Sequence, residues 1–587
     1  MWGAASDYGG ASLSVDGFPH PGKLPALTSR HWRAVLVALV DLAIVATAAL
    51  GLWVMVTGGG VYHVWGIRIS SLGARNPLIV AFALLAFRLT IAGREPFVLA
   101  PSIGPDGLEL LAASSSRALH DWLSALSPKG VRWLLVIGLG ASMIVKASNI
   151  LYHYGFYYGD DVEIHTMTFS VLLHRDLGVW NLRSPFYPLA FVYPLQRLLR
   201  NSGFGDPFTL IAAGRFVVAC FSLVNLWLVF RIGQRIFRST PIALLSGYFL
   251  WLAHLQVRLG SSEEPRTVST TFLLVSFFFL AARPGALGSA LAGVALGIAA
   301  SIRFSEGIFL VPLALLLGWE RRFRSLSIAV LAAGLTSLLI LGPGDRLYWP
   351  SMFFSLRNIL DFTLVKGLSS RGYEPFWQYL VITPVVTDLL FVALVLYSFR
   401  FVGARLVVWS VVPLLLLSLF PHKEERYLLP LLPFWALCAG AGFWRILQYS
   451  SRQAAGFRCY LALYLLAGVT LFEIDGWRFR RFEGAVDVAR ALSQNSDVRD
   501  VAMQEAGTVT GATLYLAETA DAVNIDSRRL CEADYLKAIV SRPTAQYVVL
   551  SESSLGACTC REVLAAAGYI EQFVQAGYAI FLKSPPR

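Results

Sequence analysis

The chain has 587 residues, of which 56% are hydrophobic and 15% charged, against about 25% charged in a soluble domain. Mean hydropathy is +0.60, and the apolar residues fall in long runs rather than periodic stripes, which excludes a soluble globular fold. Lys and Arg outnumber Asp and Glu by 49 to 37, but no arginine-rich arm or zinc-finger spacing points to nucleic acid. The excess instead matches the basic cytoplasmic loops of membrane proteins.

In chain order, apolar runs place membrane helices at 34–57, 77–93, 131–149, 208–230, 241–257, 266–282, 286–302, 306–319, 325–342, 379–398, 404–420, 427–446 and 457–474, about 13 spans. The residues through His31 lack the pattern of a signal peptide, so the first run reads as a retained span. An N-terminus in the cytoplasm puts the basic segments Arg231–Arg238, Arg321–Arg324, Arg400–Arg405 and Arg445–Arg458 in cytoplasmic loops. That is the distribution the positive-inside rule requires. Four polar regions then share the opposite face: Asp160–Phe204, Ser261–Arg266, Gly342–Gln378 and Pro421–Arg426.

After Ile474 the composition turns polar. Asp500–Met503, Gln546–Leu550 and Tyr578–Leu582 read as strands and Arg561–Ala567 as a helix. The expected organisation is an N-terminal extension with two spans (1–130), a polytopic α-helical module (131–474) and a small soluble α/β domain on the non-cytoplasmic face (475–587). Cys531 has two candidate disulfide partners, Cys558 and Cys560, should the tail face an oxidising compartment.

The non-cytoplasmic regions hold the candidate chemistry. Asp160, Asp161 and Glu163 lie together after the 131–149 span; one carboxylate suits a general base, a pair suits a divalent cation, and a solvated acidic loop is the ordinary alternative. Arg183 suits a phosphate or a carboxylate. His422, Lys423 and Arg426 form a compact cationic cluster that either receives a phosphate or anchors a helix end. Arg215 and Arg303, at the non-cytoplasmic ends of two spans, carry the same two readings. Trp349, Asn358, Trp377 and Tyr379, in the segment 345–379, combine ring faces with polar groups, as sugar binding requires; an interfacial aromatic belt is the alternative.

The order and wording of these motifs resemble glycosyltransferase family 22, the GT-C mannosyltransferases of asparagine-linked glycan and glycosylphosphatidylinositol assembly. His422-Lys423-Glu424-Glu425-Arg426-Tyr427 matches the family's His-Lys-Glu-x-Arg-Phe with Tyr for Phe. Leu360-Asp361-Phe362, Gly367-Leu368-Ser369-Ser370 and Pro375-Phe376-Trp377-Gln378-Tyr379 follow its long loop. The resemblance spans about residues 131–450, while the N-terminal spans and soluble tail look like bacterial additions. One departure is Tyr158-Gly159-Asp160-Asp161 where the family has His-Pro-Asp-Glu.

The resemblance implies an inverting, metal-independent enzyme without a cofactor. It would take mannose from a polyprenyl-phosphate donor to a glycolipid or glycan on the non-cytoplasmic face, with Asp160 or Asp161 as base. His422, Lys423, Arg426, Arg183, Arg303 and Arg215 would then face the donor phosphate. Glu163, Trp349, Asn358, Trp377, Tyr379 and Glu425 would face the sugars. The expected setting is a bacterial plasma membrane with the site facing outward. Another lipid-phosphate sugar or a protein acceptor remains open. A transporter fits less well, since no internal repeat or row of midplane charges is visible.

Overall fold

The computed structural model describes residues 117–448 and 483–584 with short gaps (364–373 among them), and short pieces of the first 111. The chain divides into two compact units, 1–111 and 112–587. In the first, β1 (Gly60–Val64) pairs antiparallel with β2 (Ile67–Ser71). The expected spans at 34–57, 77–93 and 457–474 lie wholly or largely outside the described residues.

The second unit is mainly helical. Its membrane module runs α1 (Pro128–Tyr152), α2 (Gly159–Leu173), α3 (Tyr193–Asn201), α4 (Pro207–Phe237), α5 (Thr240–Leu252), α6 (His254–Leu259), α7 (Pro265–Ala282) and α8 (Ala286–Ile302). It continues with α9 (Leu310–Trp319), α10 (Phe323–Tyr348), α11 (Phe354–Leu360), α12 (Gln378–Thr387), α13 (Leu389–Ser398), α14 (Ala404–Leu419) and α15 (Leu432–Gln448). Each apolar run expected between 131 and 446 therefore contains helix. Among the described residues, four helices are long and apolar enough to cross a membrane: 128–151, 207–237, 323–348 and 425–448. Long apolar helices of this kind mark an integral membrane protein.

Local chemistry sets the ends and breaks. Asp206 caps α4, accepting from Thr209 N at 3.0 Å, with Pro207 in the first turn, where its missing N–H is harmless. Residues Glu425–Leu431 form a 3₁₀ turn before α15, since Pro430 and Pro433 cannot supply α-helical N–H groups there. The run expected at 241–257 breaks at Ala253, whose backbone is extended.

The module is layered around α15, nearly all of which is buried, while α1 and α10 lie outermost. Ile137, Ile144, Leu331 and Leu339 project from those outer helices, an apolar surface that only lipid satisfies. Inside, Phe277, Phe309, Trp409 and Phe434 interlock with ring centroids 5.1–6.2 Å apart, fastening α7, α14 and α15. α8 and α10 approach backbone to backbone at Gly297, where a Cβ would stand 2.8 Å from Thr336 Cβ. Small residues are what permit such contact between membrane helices.

The C-terminal part is a five-stranded sheet in the order β4-β3-β5-β7-β6. Its strands are β3 (Asp500–Gln504), β4 (Asp521–Ile525), β5 (Tyr547–Ser551), β6 (Tyr569–Gln575) and β7 (Tyr578–Lys583). β3 runs parallel to β4 and β5, and β7 antiparallel to β5 and β6. Alternation splits the central strands between two cores. Ala502, Val548, Leu550 and Phe581 meet α18 (Ala533–Val540) and α20 (Cys560–Ala566). Val501, Met503, Val549 and Ile580 join α16 (Glu483–Ser493) and α17 (Ala512–Leu516), and with them Phe156, Val162, Phe169, Leu210 and Ile211 of the membrane module.

The sheet domain is therefore seated on α2. One close approach is at Gly511, with φ +71° and a position where a Cβ would lie 2.6 Å from Phe156 Cδ2. Remaining helices are α19 (Glu552–Ala557) beside β5 and short 3₁₀ turns. Of the two partners open to Cys531, the structure bonds it to Cys558, with Cα atoms 5.1 Å apart; Cys560 is a buried free thiol.

Candidate active site

Asp160 and Asp161 occupy the first turn of α2, where the helix N-terminus favours negative charge. Consecutive helical residues diverge by about 100°, and the two carboxylates accordingly meet opposite environments.

Asp160 faces cations. Its Oδ2 lies 2.9 Å from Arg426 Nη1 and 3.4 Å from Arg303 Nη2, and its Oδ1 accepts from Arg183. Burial alone would raise this carboxyl, yet Arg183, Arg426 and Arg303 together hold it far below the usual carboxylate range. Asp161 faces other acids. It is wholly buried, and neither of its oxygens has a hydrogen-bond partner among the described residues. Burial first, then Glu263 and Glu264, push it well above the usual range.

Three further segments close the site. Glu263, Glu264 and Arg266 stand where α7 begins, with Arg266 Nη1 3.1 Å from Glu264 Oε1 and Nε 3.9 Å from Glu306. Arg183 binds Glu163 through Nε at 2.6 Å, while its carbonyl accepts from Trp349 Nε1 at 3.1 Å. Trp349 so ties the segment after α10 to the Arg183 loop. In the turn before α15, Arg426 reaches Glu424 and approaches Glu264 at 3.5 Å. His422 Nε2 lies 2.9 Å from Glu424, and the charge of Arg426, with hydrogen bonds from Arg426 and His422, overcomes burial to hold Glu424 down to about 2.

The sequence-derived candidates thus divide. Asp160, Glu163, Arg183, Arg303 and Arg426 form one connected cluster, with His422 joined through Glu424. Lys423 instead donates to the carbonyls of Phe420 at 2.6 Å and Glu374 at 3.0 Å, fastening the end of the long loop. Arg215 lies behind the site, paired with Glu263, donating to Gly155 O at 2.8 Å and stacked over Phe156. Glu425 pairs with Arg258. Tyr379 is buried and donates to Glu424 O at 3.5 Å; Trp377 lies exposed on the surface and Asn358 half-buried on α11. Residues 364–373, with the Gly367–Ser370 stretch, lie outside the described residues, as do Tyr158 and Asn181.

Glu263, Glu264, Arg266, Glu306 and Glu424 were missing from the sequence-derived set. The signal for the first three was Glu263-Glu264-Pro265-Arg266 directly before an apolar run. Acids there resist burial unless paired, so their partners had to be found elsewhere in the chain.

A match to the model of the Alg9-like mannosyltransferase family covers residues 179–508. The chain belongs to this family. It is accordingly a glycosyltransferase of the mannosyltransferase type. The matched stretch begins after the acidic pair and runs past β3, later at both ends than the motif resemblance at 131–450. Among solved structures the fold is similar to ArnT from Cupriavidus metallidurans bound to undecaprenyl phosphate. That likeness has 12% identity and a TM-score of 0.57, covering 78% of this chain and 100% of that one. The apo state of the same enzyme matches with 13% identity, the same coverage and a TM-score of 0.56. No curated protein sequence matches the chain significantly.

Proposed function

We propose that this mannosyltransferase takes mannose from a polyprenyl-phosphate donor and places it on a hydroxyl of a glycolipid or glycan at the non-cytoplasmic membrane face. The observation that carries this is the convergence of Arg183, Arg303 and Arg426, from three separate segments, on one acid at the edge of the module. Guanidinium groups so gathered suit a phosphate leaving group, whose charge grows as the glycosidic bond breaks.

Lipid attachment of that phosphate fits the surroundings. A shallow, open apolar groove is lined by Leu310, Val311, Ala314, Leu315, Trp319 and Val330. It runs along α9, whose preceding 3₁₀ turn starts directly after Arg303. The Cys531–Cys558 disulfide suits an oxidising compartment, supporting the outward orientation of the sheet domain. ArnT, similar in fold, is bound to undecaprenyl phosphate.

In this reading the acceptor oxygen attacks the anomeric carbon opposite the phosphate. The C–O bond to phosphate breaks with its electron pair leaving on the lipid phosphate, and the hydroxyl proton passes to Asp160. Arg183, Arg303, Arg426 and His422 receive the phosphate. Arg215 and Lys423 brace the walls, and Asp161 orients the turn. The domain division at 130 and 474 and a bacterial plasma membrane setting belong to the same proposal. The test is incubation of the purified protein with radiolabelled polyprenyl-phosphate mannose and a glycolipid extract. A labelled glycolipid is expected; label appearing only with another lipid-phosphate sugar, or on protein, would replace this reading.

A further inference from the structure

Asp160 is the point on which the arginines assigned above to the donor phosphate converge, and its lone pairs are taken. Its two oxygens carry three guanidinium contacts. A hydroxyl approaching this carboxylate meets a group already neutralised and engaged. A general base has to accept a proton in the transition state, and a carboxylate clasped by three cations is poorly suited to that task.

We propose that Asp160 is a placeholder for the phosphate in the empty enzyme, and that an arriving lipid phosphate draws the arginines away and unmasks Asp160 as the base. This rests on the lipid-phosphate reading above. It goes beyond that reading by coupling donor occupancy to the base.

The second partners of the arginines decide what moves. Arg183 is also held by Glu163 at 2.6 Å, and Arg426 by Glu424 and Glu264. These second partners keep Arg183 and Arg426 within the site as they turn from Asp160 to the phosphate. Glu163, Glu264 and Glu424 act as positioning residues for the guanidinium groups. Arg303 has Asp160 as its ion-pair partner among the described residues, and its side chain, like those of Asp160 and Arg183, keeps some exposure. It is the arm freest to turn toward a ligand. Arg266 adds positive charge near Asp160 and Glu424 adds negative; Asp161 and Glu163 lie beside it with their carboxyls raised, first by burial.

A phosphate offers more oxygens and, as leaving group, more charge than a carboxylate, so it competes well for forked guanidinium donors. Once transfer is complete, Asp160 carries the acceptor's proton. When the lipid phosphate departs, the arginines close on Asp160 again, and their charge expels that proton to solvent. The cycle resets with atoms and charge balanced.

Two measurements test this on the full-length enzyme. With polyprenyl-phosphate mannose, the pH profile of kcat/KM reports the free enzyme and that of kcat the donor complex. Unmasking places the acid limb of kcat about one pH unit or more above that of kcat/KM. Arg303→Gln should raise KM and move the kcat/KM limb toward the kcat limb. Coincident limbs in the wild type would overturn the unmasking while leaving the transfer reading intact.

Infrared difference spectra on adding undecaprenyl phosphate give an answer without turnover. A carboxylate band should shift in the wild type and be missing from Asp160→Asn. Saturable binding without that band would also overturn the proposal. Absence of both turnover and saturable binding would remove the donor reading and this proposal together.

Discussion

Arg426 Nη1 lies 2.9 Å from Asp160 Oδ2, joining the turn before α15 to the first turn of α2. The same guanidinium is shared with Glu264 and Glu424 and is almost wholly buried. It is the cross-link on which the three acidic segments meet. Removing one member of such a buried network weakens the hold on the others.

Arg426 and Arg303 should therefore fail differently. Arg426→Ala takes the shared cation from Asp160, Glu264 and Glu424, which keep Arg183 and Arg303, Arg266 and His422 respectively, and should lower stability by about 1.5–3 kcal/mol, seen as a fall in thermal midpoint in detergent. Arg303→Ala removes a partly exposed side chain with one ion pair. It should lower activity by about ten- to a hundredfold with little change in melting. The opposite pattern would mean that Arg303 is the structural arginine.

Asp161 gives a pH-dependent prediction. Its carboxyl is raised by burial and by Glu263 and Glu264, so the folded state binds its proton more tightly than the unfolded chain. Stability should then fall as pH rises from the unfolded pKa through the folded one, because a buried charge appears. Asp161→Asn should match the wild type at acidic pH and melt higher at alkaline pH. A variant less stable than wild type at alkaline pH would show that the ionised form is stabilised after all.

The seat of the sheet domain is tested at Gly511. A methyl group there faces both a positive φ and the Phe156 ring, and such strain amounts to about 1–3 kcal/mol. Gly511→Ala should loosen the domain from α2, giving faster proteolysis after residue 448 and reduced transfer. Unchanged proteolysis would remove Gly511 from the interface that holds α2.

Much of this was legible in the sequence, for identifiable reasons. Membrane helices announce themselves because every lipid-facing position is apolar, and the runs from 131 to 446 each contain helix. β3, β5 and β7 were legible because their central residues are buried; β4 and β6 lie at the sheet edges, largely exposed, and carry no apolar run. Asp160, Arg183, Arg303 and Arg426 stood out as charges at span ends. That Asp160 and Asp161 diverge follows from their adjacency in either an extended or a helical backbone; sequence could not show that one would meet cations and the other acids, because those groups come from distant segments. Nor could it show which acids hold which arginines, since these pairs join segments far apart in the chain.

Topology has its own check. Reporter fusions at Phe204 and at Arg587 should both register translocation, and alkylation without reductant should spare Cys531 and Cys558 while Cys560 reacts on unfolding. A cytoplasmic signal at either fusion site would overturn the outward placement of the site and the sheet domain.

The central claim is that one carboxylate, without a metal, accepts the proton during transfer from a lipid-phosphate sugar. The most direct measurement compares mannose transfer by wild type, Asp160→Asn and Asp161→Asn, each with and without EDTA. Asparagine keeps the shape but does not act as the base. Asp160→Asn should be inactive, Asp161→Asn weakened but active, and the wild type unaffected by EDTA. Inactive Asp161→Asn beside active Asp160→Asn, or loss of wild-type activity in EDTA, would contradict that claim.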